Sequence, residues 1–254
     1  DMVDGGVYET PICVARAIPP KRGENGSISF RYEKKRVPKP QHDEFGVADF
    51  RELNLIVPIH KESIIADIKQ PTPGEPGVNI FGRAIMPEPG KMPNITVGKN
   101  TLMTADGKYI VSACDGHIMY GTGCFNVEDT VTVKSDLDIS VGNIDFFGDI
   151  YIKGNVMEGF SVKAGRSLKI EGTVFSAAPP AGGDITINGG AINSRIKSDG
   201  NVKIGFCENT DIKADGNVES AQFAFCSVFC YGELIAKGKT GVITGGTITC
   251  MKDV

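Results

Sequence analysis

Tryptophan is absent from this sequence of 254 residues, and only 3 histidines are present. A basic excess is also missing, since the net charge is −4 and the pI is about 5.5. This excludes a global electrostatic attraction to nucleic acid or to an anionic membrane. The longest nearly apolar run, residues 223–231, is far shorter than the roughly 20 residues that a membrane-spanning helix needs. The first residues lack the basic and apolar regions of a signal peptide, so none is expected.

Paired cysteine spacings are missing as well. The 7 cysteines are odd in number, form no CxxC motif, and have no histidine at zinc-finger spacing. Scattered reduced thiols are typical of the cytoplasm, where we expect this protein to act. The cysteines are Cys13, Cys114, Cys124, Cys207, Cys226, Cys230 and Cys250.

Motifs for metal or cofactor binding are lacking too. His42, His60 and His117 share no metal-ligand spacing, and each is interpreted as a solvated or locally bonded imidazole. The phosphate-binding patterns GxxxxGK[ST] and GxGxxG and the nucleophile elbow GxSxG do not occur. We therefore expect no metal, no cofactor and no catalytic nucleophile.

Composition divides the chain into two parts. All but two of the 14 prolines lie at or before Pro93, whereas glycine is more frequent after residue 120. This shift predicts two domains, one over residues 1–122 and one over residues 123–254.

The second part contains a repeat marked by glycines that precede short apolar–x–apolar segments. Their separations are 17, 18, 17, 16 and 16 residues. Period-two alternation broken by Gly, Asn and Asp is typical of short strands joined by tight turns. The turn glycines are Gly148, Gly165, Gly183, Gly200, Gly216 and Gly232.

A repeat this short buries a core only when its copies stack. Three short strands per rung of 16–18 residues predict a parallel β-helix, in which equivalent aliphatic side chains stack inward. The drifting rung length favours a right-handed coil over the strict six-residue period of left-handed acyltransferase helices. The predicted inner stack consists of Ile152, Ile170, Ile187 and Ile204.

The first part reads as a small β-rich domain. Residues 26–32 and 63–68 alternate as strands, and residues 49–53 permit one short capped helix. We expect this domain to cover the first rung of the solenoid, because an open rung exposes unpaired backbone groups.

Several glycine-containing segments of the chain carry a family resemblance. Residues 142–156, GNIDFFGDIYIKGNV, with Gly159 and residues 162–164, resemble the signature of the flagellar assembly protein A family, and residues 241–246, GVITGG, are similar to its closing rung. Upstream, Glu44-Phe45-Gly46 followed by Asp49-Phe50 matches the family's N-terminal pattern.

This resemblance implies a bacterial cytoplasmic protein with a β-helical core, linked in some members to flagellar assembly and motility control. It brings no catalytic residues with it. Family members often continue into a helical, coiled-coil-like tail. We expect the last rung, with Leu234, Val242 and Ile248 as its apolar floor, to self-associate where such a tail would cover it.

Two other function classes remain as alternatives to a non-catalytic scaffold that binds protein partners. The first is a carbohydrate-active β-helix enzyme, because carboxylates on neighbouring rungs could stand at glycosidase-like separations. The second is an acyltransferase of the left-handed type. Turn chemistry is the favoured explanation of the carboxylates Asp145, Asp149, Asp184, Asp199 and Asp215.

Two further clusters, one basic and one aromatic, bear on contact with partners. The basic residues Lys34, Lys35 and Arg36 are a candidate contact for an acidic partner, on a hairpin tip that is too short for nucleic acid. The aromatic segment 223–231 is expected to stack in the core of the last rungs.

Overall fold

The computed structural model describes residues 13–34, 41–42, 48–49, 51, 53, 55–121, 123–238 and 241–252. Among these residues no helix is formed, and so none that could span a membrane. About 49% of the described residues are in strands. The fold is all-β, as the sequence predicts.

Before the solenoid, the described part of the chain forms eleven short strands. They are β1 (Ser27–Phe30), β2 (Gln41–His42), β3 (Ala48–Asp49), β4 (Pro58–Ile59), β5 (Ile64–Lys69), β6 (Gly77–Val78), β7 (Ala84–Ile85), β8 (Thr101–Met103), β9 (Tyr109–Ser112), β10 (Gly116–Gly121) and β11 (Cys124–Glu128).

Fifteen strands form the solenoid. They are β12 (Thr130–Val133), β13 (Ile144–Phe146), β14 (Asp149–Ile152), β15 (Val162–Ala164), β16 (Leu168–Ile170), β17 (Val174–Phe175), β18 (Pro180–Ala181), β19 (Ile185–Ile192), β20 (Arg195–Ser198), β21 (Val202–Glu208), β22 (Asp211–Ala214), β23 (Val218–Ser220), β24 (Gln222–Cys230), β25 (Leu234–Ala236) and β26 (Val242–Cys250).

The described residues divide into two compact units. The first contains those of Asp1–Arg31, Ile64–Thr96 and Met103–Ile110. The second contains those of Tyr32–Ser63, Val97–Leu102 and Val111–Val254, so it includes the solenoid and part of the chain before it.

The first unit is held by antiparallel pairing and by charge pairs. Strand β1 pairs with β5, and Arg31 makes two hydrogen bonds of 2.8 Å with the carboxylate of Asp67 across this pair. This ion pair lowers the pKa of Asp67. The loop around Gly74 takes a left-handed backbone and packs against the carbonyl of Lys21, where a side chain would not fit.

In the second unit, β10 pairs antiparallel with both β11 and β4. Ile59 and Val127 are buried in this three-stranded sheet, and Ile56 packs against the core of the solenoid. The carbonyl of Arg51 accepts a hydrogen bond of 2.6 Å from the amide of Asn143, in the first rung. These segments therefore contact the first rung of the solenoid.

The short helix predicted over residues 49–53 is wrong. Asp49 belongs to β3, and Arg51 lies in a turn. Pairing of β3 with β2 outweighs the weak capping signal of Asp and Glu three residues apart.

The solenoid has about 7 parallel turns between residues 130 and 250. Each rung contributes one strand to a first face, a short bridge or strand to a second face, and one strand to a third face. On the first face, β12, β14, β16, β19 and β21 pair in parallel in that order. The parallel β-solenoid predicted from the glycine spacing is confirmed.

Equivalent aliphatic residues stack in exact register on this face. Ile152 is paired with Ile170, Ile170 with Ile187, and Ile187 with Ile204, and all four side chains are at most 2% exposed. They belong to one continuous hydrophobic core that runs from Val131 to Leu234.

Turn side chains form a polar ladder outside this core. The side-chain oxygen of Asp184 accepts a hydrogen bond from the backbone amide of Asn201. The side-chain oxygen of Asn201 accepts one from the amide of Asn217, and the side-chain oxygen of Asn217 accepts one from the amide of Glu233. The three distances are 2.7, 2.9 and 2.9 Å. Each rung is thus bound to the next by side chain as well as by backbone.

The glycines at these turns are required by close approach rather than by a left-handed backbone. A Cβ at Gly216 would lie 2.5 Å from the Asn201 oxygen of the preceding rung, and one at Gly200 would lie 2.5 Å from the Asp184 oxygen. Gly183 is less crowded, with its nearest neighbour 3.3 Å away. Strand register aligns Gly182, not Gly183, with Gly165.

A second column of backbone positions was not predicted from the sequence. Each rung has a residue with a positive φ near one corner, although only some of these residues are glycine. The column contains Gly142, Gly159, Ser176, Asn193, Asn209, Phe225 and Gly245, and Gly246 beside it also takes a positive φ.

We predict that Ile187→Asp unfolds the solenoid at temperatures where the wild type is folded. An unpaired charge in the stacked core costs several kcal/mol. The matched control is Thr186→Asp, because Thr186 lies outside the core between Lys169 and Lys203 on the neighbouring strands. Circular dichroism melting measures both. Equal melting temperatures for the two variants would contradict the register.

We also predict that Gly216→Ala lowers the free energy of unfolding by about 1–3 kcal/mol, the usual cost of overpacking. Gly183→Ala should cost less, because the space beside Gly183 is wider. Urea denaturation of both variants compares them. A larger loss of free energy of unfolding in Gly183→Ala than in Gly216→Ala would contradict the prediction. It would mean that crowding by the Asn201 oxygen does not determine the cost of a side chain at Gly216.

Candidate functional site at the first rung of the solenoid

A groove of about 1000 Å³ lies within the second unit, beside the first rung. We call it the first-rung groove. It is lined by residues 130–135 of β12 and the turn after it, residues 117–119 of β10, residues 143–145, Leu55 and Ile56. Segments that are distant in sequence therefore meet at one end of the stacked core.

No strand of the described residues pairs with the outer edge of β12. Within this part of the chain β12 pairs with β14 alone, and it lies at the end of the path of paired strands. Backbone groups alternate in direction along a strand. The Val133 carbonyl accepts a hydrogen bond from the amide of Lys153, so the groups of Thr132 point the opposite way. No hydrogen bond to these Thr132 groups is found among the described residues.

Charges of both signs surround the groove. Lys99 pairs with Glu128 at 2.7 Å, and Lys163 pairs with Asp145 at 3.1 Å. The Glu128 carboxylate raises the pKa of Lys99. Asp129 precedes β12 and Lys134 follows it; both are exposed, and neither forms an ion pair with a described residue. The edge of β12 is therefore acidic at its start and basic at its end.

His117 is the buried ionisable group of the groove. It is 7% exposed, and its ring meets that of Phe146 edge to face at 5.6 Å. Burial lowers the pKa of His117, although a hydrogen bond with the Glu128 backbone and the charges of Glu128 and Asp129 oppose this. Its Nδ1 atom has no hydrogen-bond partner among the described residues. His117 is thus buried rather than solvated, and its hydrogen bond with the Glu128 backbone fits the locally bonded imidazole expected from the sequence.

The other histidines differ from His117. His60 is exposed, lies 3.3 Å from a carboxylate oxygen of Asp115, and stacks on Phe147. His42 belongs to β2. No cluster of three or more His, Cys, Asp or Glu side chains with metal-binding geometry occurs in the described part of the chain.

The candidate carboxylates take part in contacts between rungs. Asp145 pairs with Lys163, and Asp149 pairs with Arg166 at 2.9 Å while accepting a hydrogen bond from the Ser167 amide. Asp184 belongs to the polar ladder described above. Asp199 and Asp215 donate their backbone amides to the preceding rung. Most of these carboxyl groups therefore hold the turns together.

The candidate basic contact is only partly described. Lys34 is exposed, and its ammonium lies 5.5 Å from the centre of the Tyr120 ring. Lys35 and Arg36 lie outside the described residues. Its use as a contact for an acidic partner stays a prediction.

The aromatic segment is not uniformly buried, contrary to expectation. Phe223 is 0% exposed, but Phe225 is 63% exposed and Tyr231 is 51% exposed. Phe229 is half-buried and packs edge to face on Tyr231 at 5.2 Å. Alternation along β24 turns every second side chain outward, and the positive φ of Phe225 lies at a corner of the rung.

The three residues expected to form the apolar floor of the last rung differ in their exposure. Leu234 is 3% exposed and belongs to the core, whereas Val242 is 37% exposed and Ile248 is half-buried. All seven cysteines are free, and the sulfurs of Cys230 and Cys250 stack 3.1 Å apart on neighbouring rungs. Burial and the neighbouring thiol raise the pKa of Cys230 to about 12, so it acts as a small apolar residue.

We predict that His117 makes the protein less stable as the pH falls from about 7 to 5. Its pKa is lower in the folded state than the unfolded value of 6.5. Below pH 6.5 the unfolded chain therefore takes up a proton at His117 more readily than the folded chain does. The stability of the folded state falls by up to about 1.4 kcal/mol per pH unit. His117→Asn should flatten the dependence of the melting temperature on pH in this range. An equal slope in the wild type and in His117→Asn would contradict the assignment.

Comparison with protein families gives two matches. Residues 129–254 match the Flagellar Assembly Protein A beta solenoid domain, and residues 3–123 match the Flagellar Assembly Protein A N-terminal region. The first match covers the seven rungs, and the second covers the chain before them. Searches of curated proteins and of solved structures found no match. Because the two matches together span nearly the whole sequence, the chain belongs to the flagellar assembly protein A family.

Proposed function

We propose that this chain is a non-catalytic scaffold of flagellar assembly or motility regulation, which acts in the cytoplasm and presents its solenoid to protein partners. Family membership supports a flagellar-assembly-related scaffold. The free cysteines support the cytoplasmic location. Self-association through β26 stays part of the proposal.

The observation that carries this proposal is the use of polar side chains between rungs. Glu171 illustrates it: it accepts hydrogen bonds from Tyr151, Lys169 and Asn188. These bonds hold the pKa of Glu171 at about 2, so the carboxylate stays ionised and hydrogen-bonded even in mild acid. Such carboxylates link neighbouring rungs on the outer surface, which supports a structural role for them rather than an acid–base role.

The strongest support for the alternative, a carbohydrate-active enzyme, comes from Asp149 and Asp184. Both line a shallow groove of about 510 Å³ on the first face, and they are two rungs, or about 10 Å, apart. This is close to the separation of an inverting glycosidase pair. However, each carboxylate accepts a hydrogen bond from the backbone of the next rung, which gives it a structural role.

These functions can be separated by a rescue experiment in a flagellated bacterium whose own member of this family has been deleted. The double variant Asp149→Asn/Asp184→Asn keeps an acceptor oxygen for each amide but removes both carboxylates. We expect it to restore swimming in soft agar as well as the wild type does. The folding-defective Ile187→Asp variant should not.

Loss of rescue by the double variant, with an unchanged melting temperature, would overturn the non-catalytic proposal. So would cleavage of polyuronides, or acyl transfer from acyl-CoA, by the purified wild-type chain if the double variant lacked that activity.

A further inference from the structure

We propose that the first-rung groove binds an extended segment of a protein partner, which adds to the outer edge of β12 as an extra parallel strand. This inference rests on the proposed scaffold function and names the kind of partner that the scaffold holds. The occupant would continue the solenoid by one strand beyond its first rung.

Backbone hydrogen bonding is the first argument. The carbonyls of Val131 and Val133 face β14, so the amides and carbonyls of Thr130 and Thr132 face the groove. No described residue bonds to them on that side. A row of such groups is what an added strand recognises, as in other complexes formed by β-augmentation.

The shape and lining of the groove are the second argument. All four residues of β12, Thr130–Val133, line it without a break, so the groove follows the strand over a length of about 13 Å. Opposite the strand, the aliphatic side chains of Ile56 and Ile118 contribute to the lining. An extended segment with alternating aliphatic residues would place them against this surface.

Charge complementarity identifies the occupant further. Asp129 stands before β12 and Lys134 after it, and neither has an ion-pair partner among the described residues. A parallel segment would therefore carry a basic residue at its start and an acidic residue five positions later. Parallel addition is favoured because all solenoid strands of the described chain pair in parallel.

The test uses the capped peptide Lys-Thr-Val-Thr-Val-Glu, labelled with fluorescein and titrated with the purified chain while anisotropy is measured. We expect saturable binding, and weaker binding of the charge-reversed peptide Glu-Thr-Val-Thr-Val-Lys. The double variant Asp129→Lys/Lys134→Glu should prefer the reversed peptide. Equal affinity of the wild type for both peptides would overturn the charge argument.

N-methylation of single peptide amides tests the strand pairing. In parallel register, the amide of the second valine would donate to the Thr132 carbonyl, whereas the amide of the second threonine would point away. Methylation at this valine should weaken binding about tenfold, the factor for about 1.4 kcal/mol and within reach of one lost hydrogen bond. Methylation at this threonine should have little effect. The opposite result would overturn parallel addition.

Two protein variants locate the binding edge. Thr132→Pro removes the outward amide without removing a bond to β14, and it should abolish peptide binding while the melting temperature changes little. Thr132→Val keeps the amide and should bind normally. If Thr132→Pro still binds the peptide, the groove is not the site. Sedimentation velocity tests whether a second copy of the chain covers the edge. If the wild type is a dimer and the Thr132→Pro variant is a monomer, a second copy occupies the edge and the proposal is also overturned.

The rescue assay separates this inference from the proposed function. We expect Thr132→Pro to fail in restoring swimming and Thr132→Val to succeed. Full rescue by a folded Thr132→Pro variant would show that the groove is not the partner site. The scaffold function would be unaffected by that result, because it is tested by Asp149→Asn/Asp184→Asn.

Discussion

Stacking of equivalent residues between neighbouring rungs is the interaction on which the structure depends. A single rung of 16–18 residues has no interior of its own, since it encloses only one layer of side chains. Parallel pairing brings the next layer about 4.8 Å away, so that Ile152, Ile170, Ile187 and Ile204 contact one another in order. Every other feature of the second unit must preserve this spacing.

The polar ladder follows from the same constraint. A side chain that repeats at a turn can bond to the amide of the following rung only if the rungs keep their spacing, as Asn201 does with Asn217. The ladder oxygen then occupies the space in which a Cβ at Gly216 would lie. Glycine at the turn and asparagine or aspartate in the neighbouring rung therefore form one structural motif. The side-chain oxygen needs the space that the glycine leaves empty, so each residue type requires the other.

This motif explains how much could be predicted from the sequence. The glycines and the inner stack repeat with the chain, so their spacing predicted the solenoid and placed its core. The left-handed column was missed because Ser176, Asn193 and Phe225 share a backbone conformation but no chemistry. The first-rung groove was missed for a different reason: Ile56 and His117 belong to no repeat, and only tertiary packing brings them beside Thr132 in the first rung.

The interior rungs limit where a solenoid can bind through its backbone. Between two neighbours, both edges of a strand are paired, so the strand offers only side chains to a partner, and many of those bond to the next rung. Backbone recognition is left to strands with a free edge, and at β12 the neighbouring segments leave a groove there instead of a paired strand. In the proposed binding mode, the irregular segments around the first rung supply the specificity that the paired interior strands cannot supply.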